Sequence, residues 1–229
     1  MSTILRKLTN AAIAAGLVVT SSSALADGHK TYEVTITNIT NAIIFTPILV
    51  ASHKKGLAPL FELGSPASDG MTAIAEGGNI VPLATTLGAN PDVVDVKNSG
   101  ALPPGHSVTV TVSAENGAKH ISVASMMLPT NDGFIGLNGV KAPKKGTAIY
   151  YSPGYDAGSE FNDEWCVNIP GPQCAIVNGG YMGEGFSDPD ETDEGYVHIN
   201  RGIQENGDLL SATYDWRNPV AKITITLVK

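Results

Sequence analysis

The sequence predicts an all-β protein, an antiparallel sandwich with one or two short helices inserted, and three observations carry that expectation. Apolar residues alternate with polar ones over several short segments. Gly and Pro punctuate those segments, with 25 Gly and 14 Pro in 229 residues. Charge is sparse at 16% against 42% hydrophobic residues, which suits a packed globular chain and not a disordered or coiled-coil one.

The alternation is clearest in three places. Tyr32, Val34 and Ile36 interleave with Glu33, Thr35 and Thr37; Val108, Val110 and Val112 with Thr109, Thr111 and Ser113; Ile223, Ile225 and Leu227 with Thr224, Thr226 and Val228. A period of two puts one face on a core and the other in water, the signature of half-buried antiparallel strands. Ala42 to Val50 and Ile121 to Leu128 are denser apolar runs that suit strands covered on both faces, and shorter candidates lie at Ala148 to Tyr151 and Tyr196 to Asn200. About seven strands with such punctuation imply a sandwich.

Two helical pieces interrupt the early strands. Ser65 can cap a helix with Pro66 in its first position, Met71, Ile74 and Ala75 on one face and Gly77 beyond its end. Pro82 to Leu87, closed by Gly88, repeats the scheme. Both are expected at a sheet edge or at an end of the sandwich. There is no internal repeat and no linker, so a single domain is expected over residues 27–229.

The preceding residues 1–26 read as an export address. Arg6 and Lys7 are followed by the apolar Ala11 to Val19 and by Ala24-Leu25-Ala26, an A-x-A cleavage signal before Asp27. That apolar run is shorter than the ~20 residues a bilayer span needs, so a cleaved signal peptide is expected and no transmembrane segment in the mature chain. Removing two of the 14 basic residues leaves 12 against 22 acidic ones, a charge of -10, and no basic cluster of the kind a duplex attracts. Nucleic acid is excluded as a partner, and the expected destination is the periplasm or the medium. In an oxidising compartment the C-x7-C pair Cys166 and Cys174, too wide for a zinc knuckle, is expected to form a disulfide that contributes about 2.5 kcal/mol by closing a short loop.

Motifs for nucleophilic or zinc chemistry are missing. The histidines at 29, 53, 106, 120 and 198 form no H-E-x-x-H or H-x-H element, and no G-x-S-x-G elbow or phosphate-binding loop occurs. Carboxylates in loops are more informative. Tyr155-Asp156-Ala157-Gly158-Ser159-Glu160 sets two acids four residues apart on a small-residue segment, and Asp132 follows the apolar run ending at Leu128. If these loops meet, a hard cation such as Ca2+ would relieve the repulsion, although solvated turn acids give the same pattern. A second acidic run, Asp188, Asp190, Glu191, Asp193 and Glu194, lacks the Gly and the closing Glu of an EF-hand and reads as a solvated loop.

The segment Ser125 to Leu137 followed by Tyr155 to Glu160 resembles the paired signature of the spondin N-terminal domain family. The resemblance extends to Tyr32 to Asn38, to Pro47 to His53 and to Ala221 to Ile225. It implies a C2-like β-sandwich holding one calcium ion, with Asp132, Asp156 and Glu160 at the positions of the calcium ligands, and a role in adhesion. Animal members carry an aromatic residue where this chain has Gly133 and a second Asp where it has Glu160.

Three functional classes follow. The first is an exported, non-enzymatic calcium-binding sandwich that binds a cell-surface protein or glycan. The second is a carbohydrate or other ligand-binding module using Trp165, Tyr181 and Trp216. The third, a hydrolase with Asp156 and Glu160 as acid and base, ranks last without a companion histidine or a second clear pair.

Overall fold

The computed structural model describes residues 30–177, 179–183, 185 and 193–228. Residues 1–26, expected to be a signal peptide, and the acidic residues Asp188, Asp190 and Glu191 therefore lie outside the described residues. In chain order the strands are β1 (Thr31–Asn38), β2 (Ile44–Phe45), β3 (Leu49–His53), β4 (Val93–Asn98), β5 (Ser107–Ser113), β6 (His120–Leu128), β7 (Gly133–Lys141), β8 (Thr147–Ser152), β9 (Tyr155–Asp156), β10 (His198–Ile199) and β11 (Ala221–Leu227). The helices are α1 (Asp69–Gly77), α2 (Val81–Gly88), α3 (Pro172–Val177) and α4 (Ser211–Tyr214).

Every strand pair is antiparallel. The smaller sheet has the order β5-β1-β11-β8, and the larger one β10-β9-β7-β6-β3-β4, with β2 also pairing with β6. The three alternating segments become β1, β5 and β11, side by side. Their inward residues Val34, Ile36, Val110, Val112, Ile223 and Ile225 are buried, because only one face of the smaller sheet meets the core. The facing layer comes from Val50, Ile121, Val123, Ile135 and Leu137 of the larger sheet.

The larger sheet is covered on its second face as well, which is why β3 and β6 read as nearly continuous apolar runs. Leu49, Ala51, Ala124 and Phe134 pack there against Met71, Ile74 and Ala75 of α1, Leu83 and Leu87 of α2, and Phe61. Burial of Met71 and of Ile74 stabilises this layer by roughly 1.5 to 3 kcal/mol each. The Phe61 ring meets Phe134 edge-on with centroids 4.9 Å apart.

Four expectations need correction. Helix α1 lies over the central strands β6 and β7, not at an edge or end; only α2 sits beside the edge strand β4. Its N-cap is Ser68, whose hydroxyl accepts the Met71 N–H, three residues later than the Ser65 start. The run Ala42 to Val50 is two strands, split where Thr46 turns its hydroxyl to the Met126 N–H. The strands number eleven among the described residues rather than about seven, mainly because β4, β7 and β9 carry no alternation.

Candidate metal centre

Three local devices bring distant acids to one end of the larger sheet. The turn from β6 to β7 is pinned by Thr130, whose hydroxyl donates to the Met127 carbonyl (2.6 Å) and accepts the Gly133 N–H (2.9 Å). A side chain at Gly133 would run into that hydroxyl, so this turn requires glycine. Asp132 sits at the top of this turn, fully buried.

Strand register supplies the second device. Asp156 on β9 pairs with Gly133 of β7 on one side and with His198 of β10 on the other, which sets its carboxylate beside Asp132 and the imidazole. The third is the loop after β9, which folds back over Asp132. The Asp132 carbonyl accepts the Ala157 N–H (3.2 Å), and its Oδ2 accepts the N–H groups of Ser159 (2.8 Å) and Glu160 (3.2 Å). This fold-back requires Gly158, at φ 61°, where any Cβ would collide with the backbone of Tyr196.

The three predicted carboxylates thus enter one buried cluster, with Asp132 0%, Asp156 1% and Glu160 2% exposed. Asp156 Oδ1 accepts the Gly158 N–H (3.0 Å), and its Oδ2 accepts amide N–H groups of Asn162 (3.0 Å) and Asn200 (3.1 Å). Glu160 Oε1 accepts from Asn131 Nδ2 (3.2 Å), which also donates to Asp163 (2.9 Å). Asp132 Oδ1 and Glu160 Oε2, both buried, have no hydrogen-bond partner. Among the described residues no Lys or Arg forms an ion pair with any of the three.

The electrostatics follow from that imbalance. Burial pushes the Asp132 carboxyl up, and the charges of Asp156 and Glu160 add to the effect against the two N–H donors. Burial also raises Asp156, opposed by His198 and aided by Glu194. Glu160 is pushed up to about 8 by burial, with Glu76 and Asp163 reinforcing the shift and Asn131 opposing it. Glu76, from the last turn of α1, is itself raised by burial and by Asp193. Such a set either keeps protons at neutral pH or takes a cation.

Sequence reading missed part of this site. Among the described residues, Asp156, Glu194 and His198 form a group whose ligand atoms all lie within 4.8 Å of one another, with His198 Nε2 3.3 Å from Asp156 Oδ1. Glu194 belongs to the run read as a separate solvated loop, yet Asn162 bonds both it and Asp156 (3.3 and 3.0 Å). Only strand pairing, which a lone histidine in sequence does not reveal, could have placed His198 here.

Cys166 and Cys174 form a disulfide, both ends buried, and so tie α3 to the core beside this site. Of the three candidate stacking rings, Trp165 and Tyr181 are 50% and 77% exposed, whereas Trp216 is mostly buried, 8% exposed, and packs in the core. No helix of the described residues is long and apolar enough to cross a membrane.

Two antiparallel sheets packed face to face, with acids gathered at the β6–β7 turn, define an antiparallel β-sandwich. The chain belongs to the Spondin_N family, whose model matches residues 30–149. The match takes in Asp132 and ends before Asp156 and Glu160. A search of curated proteins finds no match.

Proposed function

We propose that the protein is an exported, non-enzymatic spondin-type sandwich that binds one Ca2+ through Asp132, Asp156 and Glu160, and that it acts by binding a protein or glycan at the cell surface or in the periplasm. The observation that carries the reading is the pair of unpartnered buried oxygens, Asp132 Oδ1 and Glu160 Oε2, among acids with no Lys or Arg ion pair among the described residues. A buried acceptor without a donor is costly, and a cation satisfies several at once. Bound there, Ca2+ would supply charge neutralisation and cross-link the β6–β7 turn to the loop after β9. Export is supported by the disulfide and by the leader Arg6 to Ala26.

Thermal unfolding tests this. Ca2+ bound only to the folded state stabilises it by about 2.7 kcal/mol at a hundredfold excess over Kd, so the midpoint should rise with Ca2+ and fall with chelator. Asp156→Asn should remove most of that rise. An equal response to Mg2+ or Na+ at matched ionic strength would refute a specific site. Because His198 offers a nitrogen ligand, a larger rise with Zn2+ or Mn2+ would replace calcium by a transition metal.

A second reading, glycan binding, is favoured by the exposed Trp165, whose backbone N–H donates to Asp163 (2.8 Å) at the rim of the acid cluster. Loss of glycan binding in Trp165→Ala with an unchanged Ca2+ response would support it.

A further inference from the structure

At the opposite end of the larger sheet, about 27 Å away along the nine residues of β6, the charge reverses. Lys54 and Lys55 follow β3, Lys119 precedes β6, and Lys141 closes β7. Register sets His53 opposite His120 and His120 opposite Lys141. In a chain of formal charge -8 this is a local concentration of cations. The acids at this end are Asp92, 3.6 Å from Lys54; Asp95, which accepts the Ser113 N–H and lies 3.2 Å from Lys97; and Glu115, in the turn before β6.

Between these strands and the segment after β3 lies a cavity of about 250 Å3, lined by His53, Lys55, Pro59, His120, Ser122 and Asn138 among others. One wall is rigid. His53 Nδ1 lies 2.7 Å from the Lys54 carbonyl and must donate to it, so Nε2 is an acceptor and accepts the hydrogen bond of the Ser122 hydroxyl at 3.0 Å. Ser122 Oγ in turn accepts the Gly139 N–H (2.9 Å), which leaves it a structural strut and not a nucleophile. His120 differs. Its ring stacks on His53 with centroids 5.9 Å apart, but its buried Nδ1 has no hydrogen-bond partner. Burial and the charges of His53, Lys141 and Lys55 all hold the His120 imidazole below its usual range.

We propose that this cavity binds an oxyanion, the carboxylate, phosphate or sulfate group of a small ligand, with His120 as hydrogen-bond donor and Lys55 and Lys141 supplying charge. An oxyanion there accepts a hydrogen bond from the unpartnered ring nitrogen and offsets the mutual repulsion of the cations. The inference does not rest on calcium, since the acid cluster is at the other end of the sheet.

The test is 1H–15N NMR of the disulfide-bonded chain in chelator, titrated separately with inorganic phosphate, sulfate and glucuronate, with chloride holding ionic strength constant. At least one should give saturable shifts confined to the amides around His120, Asn138 and Gly139, together with an upward shift of the His120 imidazole titration. A response to phosphate or sulfate identifies a free tetrahedral anion, and one to glucuronate alone a sugar acid. Affinity should fall at least tenfold in both Lys55→Gln and His120→Gln, each checked for a native spectrum, and stay unchanged in Lys222→Gln on β11. Shifts that chloride alone reproduces, that do not saturate, or that survive both cavity variants would overturn the proposal.

Discussion

Glu160→Gln isolates the electrostatic cost of the acid cluster. An acid that ionises near 4.5 in the unfolded chain and at about 8 in the folded one holds its proton more tightly when folded. Between those pH values the folded state binds more protons than the unfolded state, so folding stability falls as pH rises and levels off above about 8. At about 1.4 kcal/mol per pH unit the loss totals on the order of 5 kcal/mol, of which roughly 3 kcal/mol is already felt at pH 7. Gln keeps a carbonyl for Asn131 Nδ2 and never ionises, but it leaves an amide N–H without a partner, a cost of about 1 kcal/mol. The metal-free variant should therefore exceed wild type by roughly 2 kcal/mol at pH 7 and roughly 4 kcal/mol at pH 8.5, with no advantage at pH 5. Urea unfolding in chelator at the three pH values measures this directly. A residual slope from Asp132, Asp156 and Glu76 should persist in the variant, because burial raises all three. A wild-type stability that is flat from pH 5 to 8.5, or a variant weaker than wild type throughout, would refute the reasoning.

Other substitutions probe the scaffold. Gly158→Ala places a Cβ against the Tyr196 backbone at a positive φ, so it should lower stability by about 2 kcal/mol or more and weaken any Ca2+ response; an unchanged melting curve would contradict the fold-back. Cys166→Ser should cost roughly 2 to 3 kcal/mol yet leave a folded sandwich, and thiol labelling of the native oxidised protein should find no free cysteine. Mass spectrometry of the natively expressed protein should show a chain starting at or near Asp27; recovery of an intact Met1 chain would remove the export argument.

What the sequence made legible depended on how many faces each segment buries. β1, β5 and β11 bury one face and advertise it by alternation, and β6 buries two and reads as a solid apolar run. β7 was obscured because Gly133, Gly136 and Gly139 break its pattern; the edge of Phe61 takes the space a side chain at Gly136 would need. The start of α1 was misplaced because Ser65-Pro66 and Ser68-Asp69 are both plausible caps, and only the Met71 N–H to Ser68 bond decides between them. The candidate ligands were legible through the spacing of Asp156 and Glu160 and through family resemblance. Glu194 was legible only as a member of the second acidic run, and Glu76 and His198 were not legible, since α1 and β10 reach the site only through tertiary packing and strand register.

The central claim is tested most directly by counting bound calcium at equilibrium. Isothermal titration of chelator-stripped protein at pH 7.5 should show one saturable Ca2+ per chain. Proton release on binding is expected, because Glu160 ionises only at about 8 in the free site. The same titration should show no binding in Asp132→Asn, which keeps the shape of the side chain while removing its charge. Absence of saturable Ca2+ binding in the wild type, or unaltered binding in Asp132→Asn, would contradict the account.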